Sequence, residues 1–571
     1  PVDPPPRAPR PALLATSKDI KTGPFNIGDL CHAISKLKTK KAPGPDEIPN
    51  EIWKSLLKCA SPKNEELHAQ EQQINAALLS TLLALINQIH TEKTIPDAWN
   101  DANIAALFKG GDSADPDRYR PIALLSTAYK LYTRMLHIRL AEGLEKRLRQ
   151  TQYGFRPKRS APEAISLLLR LLDLATSTEA EKEIHILLLD WVKAFDKLSH
   201  EGLLEALTRL GIPEDLIGAI KMIYAEPRFQ VKTPFGKSSR QRQLSGIRQG
   251  CPLSPYLFVA WMTVMMHDAT ESFYEDWPAH KPPPPHRPLV DRTSALNPFP
   301  TNDIAYADDL TLIASLAKFA ENLLHKIEQR AGEDNMKLNA KKTIHIQLRG
   351  PPKIIRTQSR VPIDTKSQTR VLGTMVNDST SNKNRAHLAV TTRIAEAREN
   401  FKNLHRLWRH TTLPLKRKLV IYRACVVQKL TYALYTHVLS EADMNRLESF
   451  HAQCLRKIQG IKSTHATKNI LFTESITNQE VLKRAQESHI RTDIENLRIK
   501  NFAHIYRRPD TAPERSTLLK NGSTEAATWR GKKPHKRPQT TWYDQTFPTV
   551  KELHSLAHPG VKYSSANLPT I

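Results

Sequence analysis

Two carboxylates stand side by side between two short apolar runs at residues 304–313, Ile-Ala-Tyr-Ala-Asp-Asp-Leu-Thr-Leu-Ile. Apolar segments that meet at a tight polar turn predict a β-hairpin, so Asp308 and Asp309 are expected at its tip, outside the sheet. Adjacent carboxylates repel each other unless a cation relieves the repulsion, and a hard divalent cation with oxygen ligands is the usual relief. Taken alone, Asp-Asp also fits an ordinary turn, so the rest of the chain has to decide.

A third carboxylate follows a predicted buried strand. Residues 184–189, Ile-His-Ile-Leu-Leu-Leu, form a short apolar run, and Asp190 comes directly after it. Asp190 and Asp308 are 118 residues apart in the chain, so only the fold can bring them together. Strand-end and hairpin-tip carboxylates could hold two Mg²⁺ ions roughly 3.5–4 Å apart, an arrangement that serves in-line phosphoryl displacement. Taken alone, Asp190 fits a helix N-cap equally well.

The surplus of basic residues suits a partner made of phosphates. The 571 residues include 84 Lys and Arg against 58 Asp and Glu, for a formal net charge of +26. Cationic side chains gain affinity for nucleic acid by releasing condensed counterions, although a merely soluble basic protein has the same composition. The five cysteines show no CxxC spacing, so neither a disulfide framework nor a zinc knuckle is predicted. No apolar stretch approaches the length of a membrane span and no signal-peptide pattern opens the chain, which predicts an intracellular protein without a membrane partner.

Two proline-rich stretches interrupt the globular pattern. The opening PVDPPPRAPRP predicts a disordered or extended linker over residues 1–24. Because the first residue is Pro, we expect the chain to be a segment of a longer polyprotein. The second stretch, at about 278–300, cannot be a central strand or helix and predicts a surface insertion.

The end of the chain combines basic and aromatic residues. After about residue 470 a helical pattern gives way to a loop-rich segment. The cluster in that segment consists of Trp529, Arg530, Lys532, Lys533, Lys536, Arg537, Trp542 and Tyr543. Such a mixture suits a nucleic-acid backbone with stacked bases, and a solvated tail fits it nearly as well.

An ordered series of motifs connects these features. YADD at 306–309, LLLDWVKAFD at 187–196 and SGIRQGCPLSPYLF at 245–258 resemble the palm motifs of reverse transcriptases. KAPGPDEIPNEIW at 41–53, RYRPIALLSTAYKLYTRML at 118–136 and QYGFRPKRSAPEAI at 152–165 resemble fingers segments of the non-LTR (LINE-type) retrotransposon enzymes. LNAKKT at 338–343 and RVLGTMV at 370–376 resemble the last palm strands, while YRACVVQKLTYALY at 422–435 and LESFHAQCLRKIQGI at 447–461 resemble the thumb. The likeness runs in family order over roughly residues 25–465, and the ordered set is highly specific although each motif alone is weak.

This resemblance implies an α+β right-hand polymerase with helical fingers, an antiparallel-sheet palm and a helical thumb. It places the fingers and the start of the palm at 25–180, the palm at 181–376, the thumb at 377–470 and a basic C-terminal region at 471–571. The implied reaction extends a DNA primer or nicked DNA target on an RNA template with deoxynucleoside triphosphates. An upstream endonuclease domain is expected in the full-length polyprotein, with RNA complex assembly in the cytoplasm and integration in the nucleus. A group II intron or telomerase-like reverse transcriptase and a catalytically silent nucleic-acid-binding remnant are the alternatives.

The resemblance also implies a metal site and a triphosphate site. Asp190, Asp308, Asp309 and the backbone carbonyl of Trp191 would hold two Mg²⁺ ions, with Mn²⁺ as a substitute. Trp191 stands where relatives more often carry Phe or another smaller residue, so altered packing rather than lost activity is expected there. The triphosphate would be held by Lys109 and Arg120, whose point charge and planar fork both suit phosphate.

Further positions match family roles around the nucleotide and the primer. Gln249 and Gly250 resemble the segment that lies against the incoming nucleotide and the templating base. Phe195 matches the position that blocks a ribose 2′-hydroxyl, with ordinary core packing as the alternative. Lys342 is a candidate acid for the leaving pyrophosphate, although Lys341 lies beside it, and the last match is the primer-grip turn, Leu372 and Gly373.

Overall fold

The computed structural model describes residues 10–57, 65–177, 183–233, 236–276, 303–410, 412–461, 476–519 and 541–557. These residues form a mixed α+β fold, as the sequence predicts. The helices are α1 Ile27–Ser35, α2 Asn50–Ser55, α3 Glu65–Glu92, α4 Thr127–Leu144, α5 Ala161–Ser177, α6 Ala194–Lys197, α7 His200–Arg209, α8 Glu214–Ile223, α9 Ser254–Glu275, α10 Ala317–Gly332, α11 Asn382–Asn403, α12 His405–Arg409, α13 Leu415–Tyr422, α14 Gln428–Thr431, α15 Glu441–Gln459, α16 Asn478–Ala485, α17 Ile490–Tyr506, α18 Pro513–Ser516 and α19 Trp542–Ala557. The strands are β1 Asp101–Phe108, β2 Tyr119–Leu124, β3 Ile184–Leu189, β4 Arg228–Thr233, β5 Gly236–Lys237, β6 Gln241–Arg242, β7 Asp303–Tyr306, β8 Asp309–Ala314, β9 Ile344–Leu348, β10 Asp364–Thr365, β11 Gln368–Val371 and β12 Thr374–Asn377.

One five-stranded sheet, called sheet B here, has the strand order β10-β9-β3-β8-β7. Its pairs are antiparallel except for β10 with β9, which is parallel. Helices cover both faces: Leu187 and Leu312 join the large core around α9, while Ile186 and Ile313 join a second core with α5. Burial on both faces explains why residues 184–189 read as a continuous apolar run, and the strand predicted there is confirmed.

A second sheet, called sheet A, was not expected. Its strands follow the order β2-β1-β4-β5, with β6 also paired to β4. The prediction of helical structure over 25–180 was therefore incomplete, because β1 and β2 form an antiparallel hairpin within that range. Half of β1 also pairs in parallel with β4, more than a hundred residues later, and local sequence carries no signal of such a pairing.

The N-terminal segment is partly built into the fold. Residues 1–9 and the predicted insertion at 278–300 lie outside the described residues. From residue 10 onward, however, the predicted linker is wrong: Leu13 and Ser17 donate backbone hydrogen bonds to Arg209 and Gly211, and Ile20 is buried. Prolines fix the backbone dihedral but do not prevent apolar neighbours from packing against a groove.

The C-terminal helices form their own core, which crosses the boundary expected at residue 470. Ala389, Val390, Leu430 and Leu447, from α11, α14 and α15, share this core with Ile494 of α17. The RVLGTMV segment, expected to supply the last strands of the palm, instead forms the separate two-stranded hairpin β11–β12.

One helix qualifies a prediction about membranes. Residues Ala69–Glu92 of α3 are long and apolar enough to cross a membrane, by length and composition only. The statement that no apolar stretch approaches that length was therefore wrong, although a single such helix is weak evidence. Ile86 and Ile89 of this helix pack into the large core.

Candidate active site

The three carboxylates meet at one edge of sheet B. Leu189 of β3 pairs with Leu310 of β8, and the strands are antiparallel, so the same register continued by one residue brings Asp190 opposite Asp309. Neighbouring strands lie about 4.8 Å apart, which places these two residues side by side. The hairpin pairs Tyr306 with Asp309, and its turn carries Asp308 next to them. The fold thus closes the 118-residue gap between Asp190 and Asp308.

The hairpin turn differs from the prediction by one residue. Ala307 and Asp308 form the two-residue turn, whereas Asp309 is the first residue of β8 and therefore belongs to the sheet. Ala307 has a left-handed backbone conformation, with a φ of 59°. Residues other than glycine adopt this conformation only at an energetic cost. Such a conformation persists only where neighbours hold it.

Two residues of the QYGF segment hold this turn, and sequence reasoning gave them no role. The side chain of Gln152 accepts a hydrogen bond from the backbone N–H of Ala307 at 2.9 Å and donates to the carbonyl of Ala307 at 3.2 Å. A Cβ on Gly154 would lie 2.2 Å from the nitrogen of Ala307, so only glycine allows this approach. The motif was visible in the sequence, but the contact with Ala307 was not.

Asp190 is held by the loop that precedes β9. Its carbonyl accepts from the backbone N–H of Asn339 at 2.7 Å, and the N–H of Val192 donates to Lys337 at 2.9 Å. These two bonds flank the antiparallel bridge between Trp191 and Leu338. In such a pair the flanking residues make the hydrogen bonds, so the bridge does not use the Trp191 carbonyl, which can bind a ligand. The N-cap of the next helix, α6, is Lys193, which removes the capping alternative for Asp190. The indole of Trp191 is buried in the large core.

The protein raises the pKa of all three carboxylates. Burial raises the pKa of Asp190, and Lys342 is the strongest of the groups that oppose this shift. Burial and then the charge of Asp190 raise the pKa of Asp308. Asp309 reaches solvent, yet the surrounding protein and then the charges of Asp308 and Asp190 raise its pKa to about 6. Among the described residues none of the three forms a salt bridge, so their mutual repulsion is only partly offset by more distant cations.

Three cationic side chains predicted from the motifs act on these carboxylates. Lys109 follows β1 and Arg120 lies on β2, and both side chains are exposed. Lys109 lowers the pKa of Asp190, and Arg120 lowers that of Asp308. Lys342 also lowers the pKa of Asp190, whereas Lys341 is not among its causes. The charge of Lys342 acts on Asp190 and that of Lys341 does not, which favours Lys342 over its neighbour.

The predicted nucleotide segment packs against sheet A and α6. Gly250, with a φ of 139°, leaves room for Ala123, since a Cβ there would lie 2.3 Å from the Ala123 carbonyl oxygen. Gln249 accepts from the N–H of Ala123 at 2.7 Å, and its amide donates to Asp196 at 3.0 Å. Phe195 is half-buried and stacks on Phe258 with ring centroids 4.7 Å apart, so packing accounts for one face of its ring.

The predicted primer-grip turn connects β11 to β12. Leu372 and Gly373 both have positive φ angles, 47° and 88°, as a tight two-residue hairpin requires. The carbonyl of Leu372 accepts from the hydroxyl of Tyr432, and that of Gly373 accepts from Arg393. The turn is thus tied to the C-terminal helices through its backbone.

The predicted basic–aromatic cluster is only partly described. Trp529, Arg530, Lys532, Lys533, Lys536 and Arg537 lie outside the described residues. Trp542 was expected to stack on bases, and this is wrong: its side chain is 1% exposed and its indole donates to the carbonyl of Tyr435 at 2.7 Å. Tyr543 stacks on Phe547 within the same helix.

A second acidic cluster lies on α9. His267, Asp268 and Glu271 place their ligand atoms within 4.8 Å of one another, closer than the three carboxylates of sheet B. Asp268, however, accepts hydrogen bonds from the guanidinium groups of Arg209 and Arg330 at 2.6 and 2.8 Å, which balance its charge. Burial would raise the pKa of Asp268, but hydrogen bonds from His267, Arg209 and Arg330 hold it well below its usual range. The cluster is therefore an ion-pair network between α7, α9 and α10.

Comparison with known families supports the class that this site defines. Residues 109–376 match the family described as reverse transcriptase (RNA-dependent DNA polymerase). This range begins at Lys109, includes all three carboxylates and ends within β12.

Relatives give the type within that class. The chain is 26% identical over 451 residues to a probable RNA-directed DNA polymerase from transposon BS of Drosophila melanogaster, covering 76% of this chain and 44% of that protein. It is 26% identical over 457 residues to the RNA-directed DNA polymerase from mobile element jockey of the same species, covering 78% of this chain and 45% of that protein. The chain is therefore similar to reverse transcriptases of the non-LTR retrotransposon type, and the matched family region covers 268 of its 571 residues. It spans less than half the length of these two relatives.

A solved structure of apo telomerase from Candida tropicalis, truncated from its C-terminal domain, shares 12% sequence identity with this chain. The TM-score is 0.35, over 50% of this chain and 55% of that one. A likeness at this level does not define a shared fold.

Proposed function

We propose that this chain is an RNA-directed DNA polymerase that extends a DNA primer on an RNA template with deoxynucleoside triphosphates. The observation that carries the proposal is the meeting of Asp190, Asp308 and Asp309 at one sheet edge, with Lys109, Arg120 and Lys342 acting on them. The family match over residues 109–376 and the names of the relatives support the same reaction.

The carboxylates suit divalent cations. Their pKa values are raised and they lack ion-pair partners among the described residues, so a hard cation with oxygen ligands would relieve their repulsion. Asp190, Asp308, Asp309 and the Trp191 carbonyl would hold two Mg²⁺ ions, for which Mn²⁺ can substitute. When bound, such ions activate a 3′-oxygen and neutralise the charge of a triphosphate.

Other residues of the chain would bind and orient the substrate. Lys109 and Arg120 would hold the triphosphate, and Lys342 would give a proton to the leaving pyrophosphate. Phe195 would exclude a ribose 2′-hydroxyl by contact with the sugar. Gln249 and Gly250 would shape the nucleotide and template site, and Leu372 and Gly373 would support the primer end through the backbone.

The remaining assignments concern architecture and context. In a right-hand polymerase, sheet B with α9 is the palm, the segment before it contains the fingers, and α11–α17 form the thumb. The partners are RNA, a DNA primer or target and deoxynucleoside triphosphates, with an upstream endonuclease domain in the full-length polyprotein. We place RNA complex assembly in the cytoplasm and integration in the nucleus.

An extension assay tests the proposal. Purified protein with Mg²⁺ should add deoxythymidine to oligo(dT) annealed to poly(rA). Asp308→Asn, or Ala at any of the three carboxylates, should abolish extension and leave RNA binding largely intact, because basic residues elsewhere supply that affinity. Asp378→Asn is a matched control, since Asp378 is exposed and its change leaves sheet B intact. Near-normal extension by Asp308→Asn would refute the site assignment.

The same assay separates an active polymerase from a catalytically silent remnant. A catalytically silent remnant would bind RNA but extend no primer at any Mg²⁺ or Mn²⁺ concentration. A group II intron or telomerase-like activity would share the chemistry, and the BS and jockey relatives favour the retrotransposon type over both.

A further inference from the structure

The loop between the two cations assigned to the triphosphate is acidic. Lys109 and Arg120 are separated by Gly-Gly-Asp-Ser-Ala-Asp-Pro-Asp-Arg-Tyr, which contains three Asp. A loop that binds phosphate gains no affinity from carboxylates, because like charges repel each other. The three Asp therefore need another explanation, and the contacts of each one supply it.

Two of the three Asp side chains stabilise the loop itself. Asp112 accepts a hydrogen bond from a backbone N–H two residues further on, at 2.9 Å. Asp115 accepts from the backbone N–H of Asp117 at 2.9 Å and pairs with Arg118 at 3.5 Å. The carboxylate of Asp117 instead reaches out of the loop and accepts from the ammonium of Lys193 at 2.9 Å. This ion pair joins the β1–β2 hairpin to the segment that follows β3.

Asp117 lies under the influence of the cations proposed for the substrate. The hydrogen bond from Lys193, and then the charges of Lys193, Lys109 and Lys342, lower the pKa of this carboxylate. Lys109 and Lys342 also lower the pKa of Asp190. The same two ammonium groups thus act on a carboxylate at the edge of sheet B and on a carboxylate of the hairpin loop. A phosphate group that binds these ammonium groups would compete with Asp117 for them.

The backbone of Lys193 is held in a conformation that costs energy. Its φ of 50° and ψ of 52° are left-handed, and such a conformation persists in a residue other than glycine only where the surroundings impose it. The N–H of Val192 donates to Lys337, and the carbonyl of Lys193 accepts from the N–H of Asp196, both at 2.9 Å. Lys193 is only three residues after Asp190, so this backbone directs a cation from the end of β3 toward the hairpin loop.

We propose that Lys193 is a further phosphate-binding cation of the nucleotide site, and that Asp117 is a built-in anion that holds Lys193 until a triphosphate displaces the carboxylate. The inference rests on the proposed function for the identity of the ligand. The side chains of Lys193 and Asp117 are 56% and 71% exposed, so their ion pair is weak and easily exchanged. A triphosphate presents several charged oxygens to Lys193, Lys109 and Lys342 together, whereas one carboxylate bonds to Lys193 alone. The exchange therefore favours the nucleotide, while Asp117 raises the concentration that is needed.

Equilibrium binding of dTTP to the full chain tests this exchange. The chain is bound to poly(rA) annealed to oligo(dT) that ends in a dideoxynucleotide, with Mg²⁺ present, so that no bond forms. Lys193→Gln should raise the Kd of dTTP about tenfold, because a charge-assisted hydrogen bond to phosphate is lost. Lys193→Arg keeps the charge and should keep most of the affinity. Asp117→Asn should lower the Kd about twofold to fivefold, the range that an exposed ion pair allows.

A pair of similar exposure elsewhere gives the matched control. Lys146 and Asp19 also form an exposed ion pair, so Lys146→Gln and Asp19→Asn should leave the Kd of dTTP unchanged. In the Lys193→Gln background, Asp117→Asn should tighten binding less than it does in the parent, since the two residues act through one contact. The affinity for the annealed primer and the melting temperature should stay at their parental values in each variant.

Two results would overturn the inference. If Lys193→Gln binds dTTP as the parent does, or if Asp117→Asn binds it no more tightly, the pair is only a surface salt bridge. Should Lys193→Gln unfold early in a thermal scan, Asp117→Asn decides alone, because lost structure cannot tighten binding. A parent chain that neither binds dTTP nor extends a primer would overturn the proposed function and this inference with it. A parent that does both, with variants that match it, would overturn this inference alone.

Discussion

The hydroxyl of Tyr432 donates a hydrogen bond to the carbonyl oxygen of Leu372 across 3.0 Å. Arg393 lies over the ring of Tyr432, 4.6 Å from its centroid, and donates to the carbonyl of the next residue, Gly373. Glu396 accepts ion pairs from Arg393 and from Arg370 of β11 at 2.9 and 2.5 Å. The turn assigned to the primer therefore depends on the helices assigned to the thumb.

Removing the Tyr432 hydroxyl should loosen this turn. Tyr432→Phe should lower the free energy of unfolding by about 0.5–1.5 kcal/mol and slow extension of a bound primer about fivefold, because the Leu372 carbonyl loses its donor. Single-turnover extension and urea unfolding measure the two effects. Tyr435→Phe is the matched control, since no hydrogen bond of its hydroxyl is seen within the described residues. Equal extension rates for the two variants would contradict a role for the contact.

Phe195 should select deoxyribose over ribose by steric exclusion. One face of its ring packs on Phe258, and shortening the side chain should let a 2′-hydroxyl enter beside it. Phe195→Val should raise kcat/KM for a ribonucleotide relative to its deoxy counterpart by about tenfold or more, while slowing normal synthesis much less. Val is preferred to Ala because a full truncation risks a cavity costing about 3–5 kcal/mol.

The packing alternative for Phe195 has its own control. Phe258→Leu weakens the stacking beneath Phe195 but keeps the Phe195 ring, so it should leave the ribose to deoxyribose ratio near that of the parent. If Phe195→Val remains folded and its ratio does not move, Phe195 only fills space and another residue excludes the 2′-hydroxyl.

The basic residues of the C-terminal region should contribute to RNA affinity. Replacing Arg530, Lys532 and Lys533 by Gln should make the salt dependence of RNA binding shallower by about 0.7 per lost contact with single-stranded RNA. Deleting everything after 470 is an unsuitable test, because Val481 and Ile494 belong to the core that α11, α14 and α15 share, and their loss should unfold it. An RNA titration at several salt concentrations gives the slope, and a slope equal to that of the parent would identify a solvated tail.

Stability in mild acid should depend on His437. Burial, followed by the charges of Arg170, Arg385 and Arg393, lowers the pKa of this histidine to about 3. A group whose folded-state pKa lies below its unfolded value of about 6.5 stabilises the fold above that value, and the stabilisation is lost as pH falls toward 3. His437 should therefore account for about 2 kcal/mol of the stability lost between pH 7 and pH 5.

His437→Gln cannot gain the proton and should show a correspondingly smaller loss over that interval. Urea unfolding at both pH values measures it, whatever the variant's stability at pH 7. His32→Gln, at an exposed position on α1, should follow the parent. A pH dependence of His437→Gln equal to that of the parent would show that His437 is not the group responsible.

Local sequence patterns were sufficient to predict strands and turns where a strand is buried on both faces or where a turn is short. The run at 184–189 became β3, and the carboxylates on either side of the 118-residue gap met as the ordered motifs predicted. Asp309 was misplaced by one residue, because the length of a hairpin turn depends on the positive φ that Gln152 and Gly154 allow at Ala307.

Contacts between distant segments could not be predicted from the sequence. Leu13 pairing with Arg209, β1 pairing with β4 and Trp542 entering a core each join residues far apart in the chain. Composition suggested a free linker in the first case and a base-stacking residue in the last, and both predictions were wrong. The composition of a proline-rich or basic stretch predicts only how exposed such stretches are on average. Whether a particular side chain packs depends on the shape of the surface that it meets.

Trp542 also limits when folding can finish during synthesis. Its indole is bound to Tyr435 and lies 5.6 Å from the guanidinium of Arg170 on α5, the helix that covers one face of sheet B. The ribosome must therefore synthesise almost the whole of this chain before that contact can form, and until then α5 lacks the neighbour that packs against Arg170. Contacts of such long sequence separation form slowly, so a nascent or truncated chain exposes this surface to chaperones and proteases for longer than its core helices alone would suggest.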